Sequence, residues 1–167
     1  SEKQTAVQES GFDVEDSDLS PQLFPFQKYC VKRALKVGRF AMFEDCGLGK
    51  TYQQLEWAQQ VVNHINKPVL ILAPLGVIGQ TIKEGVHFGY KVTEIALTTF
   101  DQDLDAGIYI TNYDNMDNID AYLFGGVVLD ESSILKNFAG KTRTALIEDF
   151  KNTPYKSCCT ATPSPND

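Results

Sequence analysis

From Pro21 onward the chain alternates between two hydrophobic periods. Between Pro25 and Val37 the residues Phe26, Cys30, Ala34 and Leu35 recur at helical spacing, which predicts a helix with a basic outer side. Lys28, Lys32 and Lys36 lie four apart on that side, as a solvated face or as contacts to phosphates. Short apolar runs follow at Phe40 to Phe43, Val69 to Ala73, Ile108 to Ile110, Val127 to Leu129 and Ser157 to Ala161, with a weaker one at Val92 to Leu97. All are short enough to be buried strands. Helical patterns fall between several of them, at Tyr52 to Ile65, Val77 to Val86 and Lys141 to Phe150. Strands alternating with helices predict an α/β domain whose mostly parallel central sheet is covered by helices on both faces. Ligands then belong at the carboxyl ends of the strands.

Composition adds bounds to this pattern. The 167 residues, 43 % of them hydrophobic, suffice for one packed core. No apolar run approaches the roughly 20 residues of a membrane span, and the amino terminus lacks the layout of a secretion signal, so the expectation is a cytoplasmic protein with no membrane partner. The net charge of -7 is concentrated in residues 1–20, where Glu2, Glu9, Asp13, Glu15, Asp16 and Asp18 face Lys3 alone. With few large apolar residues, that stretch reads as a flexible acidic tail or linker ahead of a domain spanning 21–167. Acidity counts against a stand-alone nucleic-acid-binding module, since such affinity comes largely from Lys and Arg. Cys30, Cys46, Cys158 and Cys159 have no spacing that completes a zinc set with His64 and His87, and the adjacent Cys158 and Cys159, in an apolar stretch, read as small buried hydrophobes in a reducing compartment.

The first apolar run leads into Glu44-Asp45-Cys46-Gly47-Leu48-Gly49-Lys50-Thr51, and a helical pattern starts at once with Tyr52. This has the chemistry of a phosphate-binding loop. Glycines let the backbone curve until successive N–H groups face phosphate oxygens, and the helix that follows adds its positive end. Cys46 to Gly49 would supply that cradle, Lys50 a charge for the outer phosphates and Thr51 a hydroxyl for magnesium. The general pattern has another glycine five residues before Gly49, where this chain has Glu44. The second element is Val127-Val128-Leu129-Asp130-Glu131, a strand delivering two carboxylates to its carboxyl end. Adjacent carboxylates are costly to hold there unless a cation or substrate uses them. Asp130 would hold magnesium through its water shell, and Glu131 would orient and deprotonate an attacking water.

Six segments in order resemble the motifs of superfamily-two helicases: Leu23-Phe24-Pro25-Phe26-Gln27, Asp45 to Thr51, Leu72-Ala73-Pro74, Thr111-Asn112-Tyr113, Asp130-Glu131-Ser132-Ser133 with Leu135-Lys136-Asn137, and Thr160-Ala161-Thr162-Pro163. The likeness is to the Swi/Snf-type branch and to the DEAD/DEAH-like helicases of bacteriophages and prophages, and it extends from about Leu23 to Asp167. It implies a RecA-like P-loop domain. Ser132 and Ser133 stand where the usual box has Ala-His, which removes the histidine's coupling contact but leaves the carboxylates. The same resemblance gives Gln27 the reading of adenine, for which a carboxamide can pair with the N6 donor and N7 acceptor. Phe24 or Phe26 would cover the base. It also implies that Ala73-Pro74 and Thr111 to Tyr113 line a nucleic-acid track, and that Thr160 to Thr162 link hydrolysis to movement.

The reading that follows is the ATP-binding lobe of an ATP- and magnesium-dependent helicase or translocase acting on nucleic acid, with double-stranded DNA expected. Superfamily-two motors close ATP between two RecA-like lobes, so a second lobe is an implied partner and the isolated chain is expected to be nearly inactive. Two rivals share the loop. Another P-loop phosphotransferase should lack the segments at Gln27 and at Thr160; a non-catalytic nucleotide-dependent module has no use for Lys50, Asp130 and Glu131 together.

Overall fold

The computed structural model describes residues 10–39, 41–44, 49–96, 98, 103–130 and 140–160, with only the backbone at 41, 42, 44, 130, 140–143, 159 and 160. Helix α1 (Pro25–Val37) starts with proline at its first position, where a fixed φ is an advantage and the missing N–H has no partner to lose. It stops at Gly38, whose φ of 71° suits a residue without Cβ. There follow β1 (Ala41–Glu44), α2 (Lys50–Ile65), β2 (Val69–Ala73), α3 (Leu75–Phe88), β3 (Val92–Glu94), β4 (Ile108–Asn112), β5 (Gly126–Asp130), α4 (Gly140–Asp149) and β6 (Tyr155–Thr160). Two short 3-10 helices, Tyr113–Asn118 and Ala121–Leu123, bridge β4 to β5.

The strands form one sheet in the order β1-β6-β5-β2-β4-β3, and every pair is parallel. The pleat divides the core in two. On β2, Val69, Ile71 and Ala73 face a cluster with Val31 and Leu35 of α1, Leu55, Trp57 and Val61 of α2, and Ile78 of α3. Leu70 and Leu72 face the other way, onto Val127, Leu129, Tyr113, Phe124, and Leu146 and Phe150 at α4. Alternate residues of a strand point to opposite faces, so a strand with both faces covered is apolar throughout. Because all strands run the same way, their carboxyl ends share one edge. Phe43 lies opposite Cys159, which lies opposite Asp130, and Ala73 lies opposite Asn112.

Residues 10–20, expected as part of a flexible acidic tail, instead form a strap over α1 and α2. The N–H groups of Ser10, Gly11 and Phe12 bond to the carbonyls of Val37, Lys36 and Leu35 at 3.2, 3.0 and 3.0 Å. These are carbonyls that the end of a helix leaves without intrahelical partners. Phe12 stacks on His64 with ring centroids 3.8 Å apart, and Leu19 is buried in the core. The lysine face of α1 receives the strap's acids, Lys32 on Asp16 at 3.0 Å and Lys36 near Asp13 at 4.0 Å. The Asp16 carboxylate raises the Lys32 pKa, but the pair is open to water, where such bridges add little. The backbone bonds and buried apolar groups therefore hold the strap. Residues 1–9 lie outside the described residues.

Candidate functional site

Gly49 adopts a left-handed φ of 88° immediately before α2. The Gln53 N–H bonds back to the Gly49 carbonyl at 3.0 Å, and Lys50 to Tyr52 form the first turn, at the positive end of the helix. An anion is best held there. Lys50 and Thr51, both half-buried, are the first two residues of the helix, which starts two residues before the Tyr52 read from the hydrophobic pattern. Cys46, Gly47 and Leu48 lie outside the described residues.

Gln27, on α1, comes to the same place. Only 7 % exposed, its side chain accepts the Phe24 N–H at 2.9 Å through Oε1, which satisfies an orphan donor at the start of α1 and fixes the amide's orientation. Its Nε2 lies against the backbone of Gly49, where any Cβ would collide with it. A residue of the first helix and the residue leading into the second are thus in contact across 22 positions of sequence. Phe24, 71 % exposed, flanks this point.

Tyr52, Glu56 and Gln60, one turn apart on α2, line the path of the strap toward Gln27. The Tyr52 hydroxyl contacts the Ser20 hydroxyl and donates to Gln22 Oε1 at 3.3 Å. Glu56 Oε1 accepts the Ser20 N–H at 3.2 Å and the Tyr90 hydroxyl at 2.5 Å. Gln60 Nε2 donates to Glu56 Oε2 and to the Asp18 carbonyl, each at 2.8 Å. Burial, reinforced by the bond to Glu56, pushes the Tyr90 pKa far up. A lone glutamate in an amphipathic helix gives no sequence signal of this role, because its partners come from distant segments.

The other segments named from sequence distribute unevenly. Asp130 ends β5 on the same edge as the end of β1, two strands away. Thr160 ends β6, opposite Glu44, the last residue of β1. Ala73 is buried, and Pro74 stands immediately before α3. Thr111 and Tyr113, expected along a nucleic-acid track, are only 1 % and 4 % exposed. Thr111 spends its hydroxyl on the Ile95 carbonyl at 2.9 Å, and Tyr113 packs in the second core cluster. Of that trio only Asn112 is part-exposed, and its Oδ1 caps the following 3-10 helix by accepting the Asn115 N–H at 3.1 Å. Glu131, Ala161 and Thr162 lie outside the described residues. Among the described residues, no helix is long and apolar enough to cross a membrane.

No protein-family model matches the sequence, and a search of curated proteins gives no match. Solved structures do match. One structure of the UvsW helicase of bacteriophage T4 superposes with a TM-score of 0.64 at 17 % identity over 83 % of this chain and 51 % of its own. A second, of T4 UvsW, gives 0.70 at 16 % identity over 92 % and 35 %. The Sulfolobus solfataricus SWI2/SNF2 ATPase core, solved in complex with double-stranded DNA, gives 0.65 at 22 % over 90 % and 34 %. The chain shares the RecA-like fold of these structures. The chain spans between about a third and a half of the length of those structures. It agrees with the α/β architecture expected from the alternating hydrophobic periods.

Proposed function

We propose that this helicase-type lobe binds ATP with magnesium and, closed against a second RecA-like lobe, hydrolyses it to drive translocation on double-stranded DNA. The observation that supports the reading is the contact of Gln27 with Gly49, a buried carboxamide beside the start of α2. In this reading residues 46–49 cradle the phosphates, Lys50 neutralises the outer ones, and Phe24 covers the base whose N6 and N7 edge pairs with Gln27. The Thr51 hydroxyl and the Asp130 carboxylate are hard oxygen donors, which suits magnesium, and both belong to the carboxyl edge of the sheet or the helix that rises from it. When bound, the ion offsets charge on the phosphate oxygens.

Glu131 accepts a proton from the attacking water, whose oxygen bonds to the terminal phosphorus as the bond to the leaving oxygen breaks, giving ADP and inorganic phosphate. Asn112 and the start of α3 at Pro74 lie on the same edge and are assigned to the DNA track; Thr160 to Thr162 are assigned to coupling. Duplex DNA is taken from the Sulfolobus structure, which was solved with it.

Calorimetric titration of ATP with magnesium tests the nucleotide assignment. Binding should be lost in Lys50→Ala with an unchanged melting temperature. Phosphate release should be barely measurable from these 167 residues and should appear, stimulated by duplex DNA, in a longer protein that carries the second lobe, because arginines supplied across such interfaces are worth roughly 10³ to 10⁵ in rate. Glu131→Gln should abolish it. Unchanged ATP affinity in Lys50→Ala would overturn the proposal.

A further inference from the structure

We propose that Glu56 is a positioning residue for base specificity, holding Gln27 at a fixed distance from the phosphate-binding helix. The inference rests on the nucleotide reading above and adds a determinant that touches no nucleotide.

A carboxylate that is only 2 % exposed is expensive to keep, and replacement of buried polar groups by well-packed apolar ones is often neutral or stabilising. Glu56 lies on α2 between Tyr52 and Gln60, each one turn away. Its oxygens accept bonds from three elements: the Ser20 N–H of the strap, the Tyr90 hydroxyl of the turn after α3, and Gln60 of its own helix. The Ser20 carbonyl in turn accepts the Leu23 N–H at 3.2 Å, closing a turn that delivers the chain to Phe24. The Phe24 N–H then fixes Gln27 Oε1.

One continuous series of bonds therefore runs from the second turn of α2 back to the amide that meets Gly49, just ahead of the first turn of the same helix. Both arms of the site, base reader and phosphate amides, are referenced to α2. Chain connectivity would not do this, because β1 and the loop intervene between Gln27 and Gly49. Hydrogen-bonded discrimination between adenine and guanine depends on placing the amide accurately, and a misplacement of about 1 Å can cost about 10²-fold in a reacting geometry. Loss of the Glu56 anchor should leave the phosphate amides in place and blur the base reading.

The experiment measures affinities of the 167-residue chain for magnesium-bound ATP, GTP and inorganic tripolyphosphate, with thermal melts, for the native protein, Gln27→Ala, Glu56→Gln and Tyr90→Phe. Glu56→Gln should lower the ATP-to-GTP affinity ratio by about tenfold and leave tripolyphosphate affinity unchanged. Tyr90→Phe, which removes one donor and keeps the ring, should shift the ratio less in the same direction and stands in if Glu56→Gln does not fold. A ratio that falls in Gln27→Ala but is unchanged in Glu56→Gln overturns this inference alone: Glu56 then only stabilises the fold. A native ratio near one, or one untouched by Gln27→Ala, overturns the base-reading assignment and this inference with it.

Discussion

The α-carbon of Gly11 lies where a side chain of Gly38 would begin: a Cβ on Gly38 would come within 2.8 Å of it. The two glycines let the strap cross the end of α1 at backbone contact, close enough for its N–H groups to reach the last carbonyls of the helix.

A Cβ on Gly11 would run into the Leu35 carbonyl, which belongs to the backbone and cannot move aside without disturbing α1. Gly11→Ala should therefore lift the strap and cost about 2 kcal/mol, within the range for disrupted backbone contacts. Gly76, on the exposed first turn of α3, has open space around its would-be Cβ, and Gly76→Ala should gain up to about 1 kcal/mol from helix propensity. Urea titrations of the two variants measure both effects. Equal stability of Gly11→Ala and the native chain would remove the strap from α1.

Ser157, on β6, is fully buried between its partners Ala41 and Val128, and its hydroxyl meets no hydrogen-bond partner among the described residues. A buried donor left unmade costs about 1 to 3 kcal/mol. Ser157→Ala removes the hydroxyl with little change of volume, so the variant should be more stable by about 1 kcal/mol. A raised melting temperature in calorimetry is the expected result.

Stability at high pH should depend on Tyr90. Burial first, and the hydrogen bond to Glu56 second, raise its pKa above the ordinary tyrosine value, so the folded chain keeps a proton that the unfolded chain releases. The sign follows from linkage: this contribution is whole below the unfolded value of about 10 and declines as pH rises beyond it, by up to about 1.4 kcal/mol per pH unit. Denaturation measured between about pH 9 and 11.5 should show a shallower decline in Tyr90→Phe than in the native protein. A residual slope should persist, because burial raises Tyr109 and Tyr155 in the same direction.

The periodic parts of the chain were legible from residue order. Pro25–Val37 and Val69–Ala73 appear with the bounds read from the hydrophobic pattern, because proline and glycine punctuate the one and an unbroken apolar run defines the other. The start of a helix after Gly49 and the placing of Asp130 at a strand end were equally local signals. What escaped depends on partners far away. The strap looks disordered by composition because the groups that hold it, α1 carbonyls and the side chains of Tyr52, Glu56 and Gln60, lie elsewhere in the sequence. Thr111 and Tyr113, expected along a nucleic-acid track from the resemblance alone, are both buried, Thr111 with its hydroxyl bonded to the Ile95 carbonyl and Tyr113 in the second core cluster.

The strand order has a consequence for the order in which the protein assembles. Among the described residues β1 pairs with β6 alone, Ala41 opposite Ser157, whereas β2, β3, β4 and β5 pair with one another over shorter separations. Pairing across long separations is slow, because the entropy of closing the loop must be met before the contact forms. A chain emerging from the ribosome can lay down the middle of the sheet while β1 still waits for β6. By this argument β1, made before its neighbour β6, should pair only after the middle of the sheet has formed.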